Sequence, residues 1–275
     1  MKHKFRNILL LLLIAIIAFY VIGFLNPITI RHYDIRSNKI LSSIRIVQIS
    51  DLHNTIYKNN QQDLIDKIKK TNPDIIVLTG DIGDDHEPIL GTQLLLDGIK
   101  DVAPLYYVIG NHEYWARNTS EILDIIKSYG VEILDEKTVE LNINGQKIML
   151  SGINDPDVER YTNRAYDLSF LHNINKNYFN ILLAHRPERI KEYTRYNIDL
   201  VLSGHAHGGQ IAIPFLINGL YAPNQGFFPK YAGGMYNVDN VKMIVSRGLA
   251  FNTRLPRFYN RPEIVVIDLI GEFDD

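Results

Sequence analysis

The sequence predicts a mixed α/β protein in which two packed mixed β-sheets are flanked by helices, with an N-terminal transmembrane helix in front. Three observations predict this fold class. Short apolar runs rich in β-branched residues alternate with helical stretches in the first half of the chain. A hairpin motif and further apolar runs follow in the second half. A long uncharged apolar run lies at the N-terminus.

The N-terminal apolar run covers 8–25, which is 18 residues without a charge, and Lys2, Lys4 and Arg6 precede it. This length is at the lower end of what spans a bilayer. It exceeds the apolar region of a cleaved signal peptide, roughly 7–15 residues, and no small-x-small cleavage site follows. A buried core helix is disfavoured because the run has no polar face. We expect an uncleaved single-pass anchor over 1–27, with the rest of the chain outside the cytoplasm because the basic flank stays inside.

The remaining residues, 28–275, suit one domain, since no linker and no internal repeat interrupts them. The whole chain of 275 residues is 46% hydrophobic and 22% charged, which excludes a mainly disordered protein. Its net charge of -2 leaves no basic excess for phosphate backbones, so nucleic acid is not an expected partner. Because there is no cysteine, any metal site must use His, Asp, Glu or Asn. The oligomeric state is left open.

The first half of this domain alternates between strands and helices. Residues 44–50 are short, apolar and β-branched, which is typical of a buried strand. Residues 61–70 carry apolar side chains on one helical face, and Pro73 ends that helix. The alternation continues with strands at 75–79 and 105–109 and helices at 90–101 and 119–129.

The second half has a different periodicity. Asn144-Gly145 lies between two alternating stretches and is a strong hairpin motif. Further buried strands are expected in two short apolar runs that flank a helical stretch, and the C-terminal third is rich in turns. The predicted elements are strands at 138–143, 147–152, 179–184, 199–203, 241–246 and 263–269, and a helix at 187–196.

Polar side chains follow the carboxyl ends of five predicted strands, where open α/β sheets bind their ligands. The first three groups lie 30 residues apart, at Asp51, Asp81 and Asn111. That spacing is about one strand-helix-strand unit of ~30 residues, so we expect the loops to converge. The candidate site residues at these strand ends include Asp51, His53, Asp81, Asn111, His112, His185, His205 and His207.

A mixed set of imidazole and oxygen ligands suits a pair of divalent metals such as Mn, Fe or Zn. A carboxylate has two oxygens and can bridge metals ~3.5–4 Å apart, and Asp81 on the middle strand is the expected bridge. Any one of these histidines alone would be interpreted as structural. The prediction depends on five of the nine histidines lying together at strand ends, and no role is assigned to His3, His32, His86 and His172.

Taken in order, these polar blocks resemble the calcineurin-like metallophosphoesterase family. Three segments, 204–210, 229–236 and 246–249, are similar to a membrane-anchored bacterial subgroup of predicted phosphohydrolases, so the resemblance covers most of 44–269. It implies a four-layer α-β-β-α sandwich and hydrolysis of phosphodiester or phosphoanhydride bonds by a metal-activated hydroxide. The blocks are Asp-x-His at 51–53, Gly-Asp at 80–81, Gly-Asn-His-Glu at 110–113, His185 and Gly-His-x-His at 204–207.

The resemblance also implies roles for single residues. His112 would not bind metal but would protonate the leaving oxygen, and Glu113 would orient imidazoles from outside the ligand set. One metal would be held by Asp51, His53 and His207 and the other by Asn111, His185 and His205, with Asp81 shared between them.

Many family members carry Gly-Asp-x-x-Asp after the second strand. Here Asp84 is interpreted as a loop charge, and the acidic stretch 84–87 as a solvated loop rather than a third cation site. Residues 215–236 are rich in aromatic residues, Gly and Pro. We interpret them as an irregular loop packed on its own side chains, in preference to a membrane-proximal lip.

Three functions are considered. The first is a membrane-anchored phosphohydrolase acting on phosphoester small molecules, and the second narrows the substrate to a nucleotide-sugar or lipid-linked pyrophosphate. The third is a metal-binding scaffold without catalysis, which the presence of His112 beside a full ligand set disfavours. Five arginines are candidates for gripping a substrate phosphate, although a surface salt bridge is the preferred interpretation of each: Arg160, Arg164, Arg247, Arg254 and Arg257.

Overall fold

The computed structural model describes residues 2–86, 88–116, 118–251 and 255–272. Helices and 3₁₀ turns lie outside two large sheets in this part of the chain. The helices are α1 Lys2–Gly23, α2 Gln62–Lys70, α3 Leu90–Ile99, α4 Asn111–Trp115, α5 Thr119–Ser128, α6 Val158–Tyr161 and α7 Ile190–Tyr193, and the 3₁₀ turns are Ser169–Asn173, Pro187–Arg189 and His207–Gly209.

The described strands form two six-stranded mixed sheets and one small two-stranded ribbon, β10-β11. The order β1-β14-β2-β3-β4-β5 defines sheet A, and the order β12-β13-β9-β8-β7-β6 defines sheet B. The strands are β1 Thr29–Ser37, β2 Ile44–Ile49, β3 Ile75–Thr79, β4 Leu105–Val108, β5 Glu132–Ile133, β6 Lys137–Ile143, β7 Gln146–Gly152, β8 Phe179–Leu183, β9 Leu200–Ser203, β10 Tyr221–Ala222, β11 Gly226–Phe227, β12 Gly234–Val238, β13 Val241–Val245 and β14 Glu263–Gly271.

Apolar side chains of both sheets fill the space between them, because the central strands are buried on both faces. The other face of sheet A packs on α2, α3 and α5, and the other face of sheet B packs on a third cluster that includes Ile190 and Tyr193 of α7. The four-layer arrangement of two sheets between helices is therefore confirmed. The layer between the sheets includes Ile46, Val77, Val108, Leu150, Ile181 and Leu202.

Parallel pairing places the carboxyl ends of six strands, three from each sheet, on one side of the sandwich. In sheet A, β2, β3 and β4 run parallel, and in sheet B β7, β8 and β9 do so. Buried strands such as Phe179–Leu183 are covered on one face by the other sheet and on the other face by helices and loops. The loops that carry the candidate ligands consequently meet at one edge of the two sheets, as the sequence predicted.

Several short elements were not predicted, and two larger differences from the predicted elements stand out. The predicted helix at 187–196 is a 3₁₀ turn followed by the four-residue helix α7. The nine-residue strand Thr29–Ser37 was not predicted, because its side chains are largely exposed and give no apolar run. It pairs in parallel with β14 at the outer edge of sheet A, and Thr29 lies opposite Glu263.

Helix α1 is long and apolar enough over His3–Gly23 to cross a membrane, and its side chains are exposed up to Gly23, which is buried. Its C-terminal end packs on the segment before β14. The backbone N–H of Tyr259 donates to the carbonyl of Gly23 at 2.7 Å, and the Tyr259 hydroxyl donates to the carbonyl of Phe19 at 2.9 Å. The ring of Phe258 contacts that of Phe24 at 5.0 Å between centroids.

We expect Leu202→Ala to destabilise the fold, because Leu202 is fully buried between the sheets and its removal leaves a cavity. The free energy of unfolding should fall by about 2–5 kcal/mol. Leu41→Ala is the matched control, since Leu41 is 74% exposed and should change stability by less than about 0.5 kcal/mol. Chemical denaturation of the full chain in detergent measures both. Equal stability of the two variants would contradict the described core.

Candidate functional site

Each candidate ligand follows a strand of one of the two sheets, at or near its carboxyl end. Asp51 comes two residues after β2, Asp81 two residues after β3, and Asn111 is the first residue of α4 after β4. From sheet B, His185 comes two residues after β8 and His205 two residues after β9. The rigid sheets thus position side chains that are far apart in the sequence.

The structure brings these side chains into two groups that share Asp81. In each group, the possible ligand atoms lie within 4.8 Å of one another. Asn111 is buried and lines the same cleft as Asp81 and His205. All seven residues predicted from the sequence therefore lie together. The first group is Asp51, His53, Asp81 and His207, and the second is Asp81, His185 and His205.

The backbone at these positions is unusual. Five of the seven residues have a left-handed φ between 46° and 65°, which costs free energy in residues other than glycine. Gly110 is needed for a different reason, since a Cβ there would lie 2.2 Å from Asp81 Oδ1. The surrounding structure must hold these loops in place, and the left-handed residues are Asp51, His53, Asp81, His205 and His207.

Several contacts in the site fit cations between the side chains. The carbonyl of Thr79 lies 2.8 Å from His185 Nδ1 and can only accept, so this nitrogen carries a proton. Nε2 of the same ring lies 3.1 Å from Asp81 Oδ2. Burial opposes protonation of the ring, but Asp81 and Asp51 raise the pKa of His185 to about 10. A cation held between Nε2 and the carboxylate would take the place of the second proton. Two further buried oxygens lack a hydrogen-bond partner and could donate lone pairs: Asp51 Oδ2 and Asn111 Oδ1.

The charges in the site also suit metal binding. Burial opposes ionisation of Asp81, but His185, His112 and His53 outweigh it and lower the pKa of the carboxyl well below its usual value. Burial and His185 lower the pKa of His205, and burial and His53 lower that of His207, so both rings are neutral and free to donate a lone pair. His205 and His207 therefore offer neutral imidazoles beside the anionic carboxylate of Asp81, a combination that borderline divalent metals bind.

His112 has surroundings unlike those of the ligand histidines. Its Nδ1 lies 2.9 Å from Asp84 Oδ1 and 2.7 Å from Asp85 Oδ1. Burial opposes protonation of the ring, but Asp81, Asp84 and Asp85 raise its pKa to about 9. Its ring packs 4.5 Å from that of Trp115 and lines the cleft. This position and charge are those required of a proton donor.

The interpretation of Asp84 as a loop charge was wrong. Asp84 is buried, and it lies 3.4 Å from His53 Nδ1 as well as against His112. It thus connects a candidate ligand to the candidate proton donor. The sequence spacing contained the pattern Gly-Asp-x-x-Asp at 80–84, but spacing alone does not show whether a loop residue turns inward. Glu87, the last residue of the acidic stretch, lies outside the described residues.

Glu113 was expected to orient imidazoles, but it orients backbone instead. Its carboxylate accepts the backbone N–H groups of Asp81 at 3.0 Å, Gly83 at 2.9 Å and Gly110 at 2.8 Å. Glu113 is fully buried, so these charge-assisted hydrogen bonds compensate for the loss of water. It fixes two ligand-bearing loops against each other.

A cleft of about 270 Å³ opens over the ligands. Arg160, Trp115 and Arg186 are among the residues that line it. Arg186 was missed at the sequence level, although it directly follows His185. It is buried and forms two hydrogen bonds with the carboxylate of Asp155, at 2.6 and 2.8 Å. Arg186 is thus held rigidly at the wall of the cleft, with its charge compensated by Asp155 and by Asp157, which lies 3.4 Å away.

The other candidate arginines divide into different environments. Arg164 forms an ion pair with Asp135 at 2.6 Å, as preferred at the sequence level. For Arg257 the surface interpretation was wrong, because the side chain is buried and donates to the carbonyl of Ala250 at 2.7 Å. Arg247 is half-buried and donates to Asn260 Oδ1 at 3.1 Å. Arg254 lies outside the described residues.

Comparisons with known proteins agree with this geometry. A model of the calcineurin-like phosphoesterase family matches residues 44–209. The chain is 32% identical over 237 residues to the uncharacterized metallophosphoesterase YkuE of Bacillus subtilis, with 82% of this chain and 78% of that protein covered. It is 29% identical over 248 residues to a transmembrane protein with metallophosphoesterase domain of Bos taurus, with 83% and 53% covered. The similarity to this relative and the apolar helix α1 both indicate membrane anchoring.

Two solved structures share the fold at low sequence identity. One is the sulfate thiohydrolase SoxB of Thermus thermophilus in complex with glycerol, with a TM-score of 0.50, 12% identity and coverage of 75% of this chain and 52% of that chain. The other is GAP50, the anchor in the inner membrane complex of Plasmodium, with a TM-score of 0.50, 14% identity and coverage of 82% and 81%. With the family match over residues 44–209, the conclusion is that this chain belongs to the calcineurin-like phosphoesterase family and is a metallophosphoesterase, a hydrolase acting on phosphoester bonds.

Proposed function

We propose that this protein is a dinuclear-metal phosphohydrolase that cleaves phosphodiester or phosphoanhydride bonds. The observation that carries the proposal is that Asp81 belongs to two buried groups of possible ligands at once. A shared carboxylate is the arrangement that holds two cations close enough to act on one phosphoryl group. The proposed domains are an anchor over 1–27 and a catalytic domain over 28–275.

The proposed ligand sets follow the two groups. Asp51, His53 and His207 would hold one divalent metal, Asn111, His185 and His205 the other, and Asp81 both. When bound, Mn, Fe or Zn would supply an activated water and neutralise charge on the phosphoryl oxygens. The residues of the chain do the rest: Glu113 fixes the loops, and Asp84 holds His112 in the cleft.

His112 is the proposed general acid. Because Asp84 and Asp85 both face Nδ1, the ring presents Nε2 as the nitrogen that can protonate a leaving oxygen. Arg160 lines the same cleft and is the proposed contact for a second anionic group of the substrate. Trp115 stays oriented by donating its indole N–H to Asp157 Oδ2 at 2.6 Å.

Asp81→Ala should lose bound metal, because it removes the carboxylate that both ligand groups share. We expect elemental analysis of the purified full chain to find two metal ions per wild-type chain and a clear deficit in the variant. Asp101→Ala, which changes an exposed aspartate after α3, is the matched control and should keep full occupancy. Full metal occupancy in Asp81→Ala would contradict the proposed bridge.

His112→Ala should keep its metals but lose turnover by about 10²–10⁴-fold, the usual contribution of a general acid. The loss should be large for an alkyl phosphoester, whose leaving oxygen needs a proton, and small for a nitrophenyl ester, whose leaving group does not. His172→Ala is the control, because the His172 ring packs on Tyr196 outside the site. An equal loss on both esters would exclude His112 as the acid.

A lipid-linked pyrophosphate is the second candidate substrate, and the position of α1 favours it. Strand β1 starts at Thr29, beside Glu263, whose backbone N–H donates to the carbonyl of Gly248 at 3.2 Å. A Cβ at Gly248 would lie 2.7 Å from the Cβ of Asp51, so the anchor enters the domain at the ligand-bearing edge.

The proposed location of this domain is the extracytoplasmic side, and full protection from protease added to intact cells would contradict it.

The two substrate classes can be separated by rates on matched compounds. We expect the metal-loaded full chain in nanodiscs to hydrolyse a lipid-linked pyrophosphate at least about tenfold faster than the same headgroup without its lipid, because both partners are confined to one surface. The preference should shrink in detergent, where that confinement is lost. Equal rates in nanodiscs would rule out the lipid-linked substrate while leaving the proposed hydrolysis intact.

A further inference from the structure

We propose that the hairpin at 213–217 is a second membrane contact, which dips into the same bilayer that α1 crosses. The inference goes beyond hydrolysis and rests on α1 being a membrane anchor. Ile213 and Ile217 close the hairpin, with the N–H of Ile213 donating to the carbonyl of Ile217 at 2.9 Å. Pro214, Phe215 and Leu216 form its tip.

The tip exposes two large apolar side chains to the surroundings. Phe215 is fully exposed and Leu216 is 81% exposed. Adjacent large apolar side chains at the end of a protruding loop are unfavourable in water and are typical of a surface that meets an apolar partner. Side chains this exposed can enter an apolar phase without any rearrangement of the domain.

The hairpin lies beside the end of the anchor helix. The backbone N–H of Ala212 donates to the carbonyl of Phe258 at 2.8 Å, and Phe258 packs on Phe24. Tyr259, whose hydroxyl donates to the carbonyl of Phe19, lines one surface cavity with the hairpin. Residues 258–259 therefore contact both the last turns of α1 and the base of the hairpin. Because of these contacts, the tip lies on the membrane side of the domain.

The charge pattern fits the boundary between lipid tails and headgroups. Residues 210–229 contain no Asp, Glu, Lys or Arg, so insertion of the tip moves no charge out of water. Arg261 lies next to the anchor and donates from Nε to the carbonyl of Leu25 at 3.3 Å. An arginine at the depth of the lipid headgroups can contact lipid phosphates. Tyrosine, the residue type of Tyr259, is enriched at the membrane–water interface. A bilayer is the occupant that agrees with all of these features.

The hairpin is also continuous with the candidate site. His207 lies six residues before Ile213, and its carbonyl accepts the side-chain N–H of Asn260 at 2.7 Å. Asn260 follows Phe258 and Tyr259, which pack on α1. Two membrane contacts on either side of this segment would hold the cleft at a constant height above the bilayer.

The absence of cysteine from the sequence makes this proposal directly testable. The full chain carrying Phe215→Cys is labelled with an environment-sensitive fluorophore and reconstituted into phosphatidylcholine vesicles that contain nitroxide lipids. We expect a blue-shifted emission and quenching by nitroxides placed near the headgroups. Ile14→Cys, within α1, should be quenched by nitroxides deep in the bilayer. Leu41→Cys, which is 74% exposed beside Gln146, should be quenched only by a water-soluble quencher.

Each outcome decides a separate point. Quenching at position 14 without quenching at position 215 would overturn the second contact and leave the anchor in place. Absence of quenching at both positions would overturn the anchor and the contact together. A blue shift at position 215 that disappears when the chain is diluted in lipid would assign the tip to a second copy of the protein. None of these results depends on hydrolytic activity, so the proposed function is tested separately.

Discussion

The rest of the site depends on burying the Asp81 carboxylate among imidazoles. A charged carboxylate away from water is stable only when other groups satisfy both of its oxygens. Oδ1 accepts the backbone N–H of His112, and Oδ2 faces His185 and His53 at 3.1 and 3.6 Å. These contacts use backbone and side chains from both sheets. The position of Asp81 therefore couples the packing of the sandwich to the chemistry of its edge.

The loops around Asp81 are held in conformations that they would not adopt alone. Left-handed residues such as Asp51 and His205 cost free energy, and the structure offsets that cost with buried hydrogen bonds. Asp51 Oδ1 accepts the backbone N–H of His205 at 2.9 Å, which joins a loop of sheet A to a loop of sheet B. Glu113 joins two loops within sheet A in the same way. A preorganised site of this kind binds cations with little rearrangement.

The sequence predicted most of the fold and the clustering of all seven candidate ligands, because buried parallel strands leave continuous apolar runs and their ends are easy to locate. It did not predict the inward turn of Asp84 or the backbone contacts of Glu113, since both depend on tertiary packing of a loop. Strand β1 was missed because an exposed edge strand has no apolar pattern. Arg186 was missed because its partner, Asp155, is 31 residues away in the sequence.

The connection between the anchor and the domain sets where the chemistry takes place. Only residues 24–28 separate α1 from β1, and β1 pairs with β14 along nine residues. A connector this short, with Tyr259 hydrogen-bonded to Gly23 and Phe19, cannot act as a flexible tether. Because β1 starts at the edge of sheet A that carries Asp51, the helix and the cleft lie on the same side of the sandwich. The fold itself, rather than a linker, therefore determines that the cleft stays close to the end of the apolar helix.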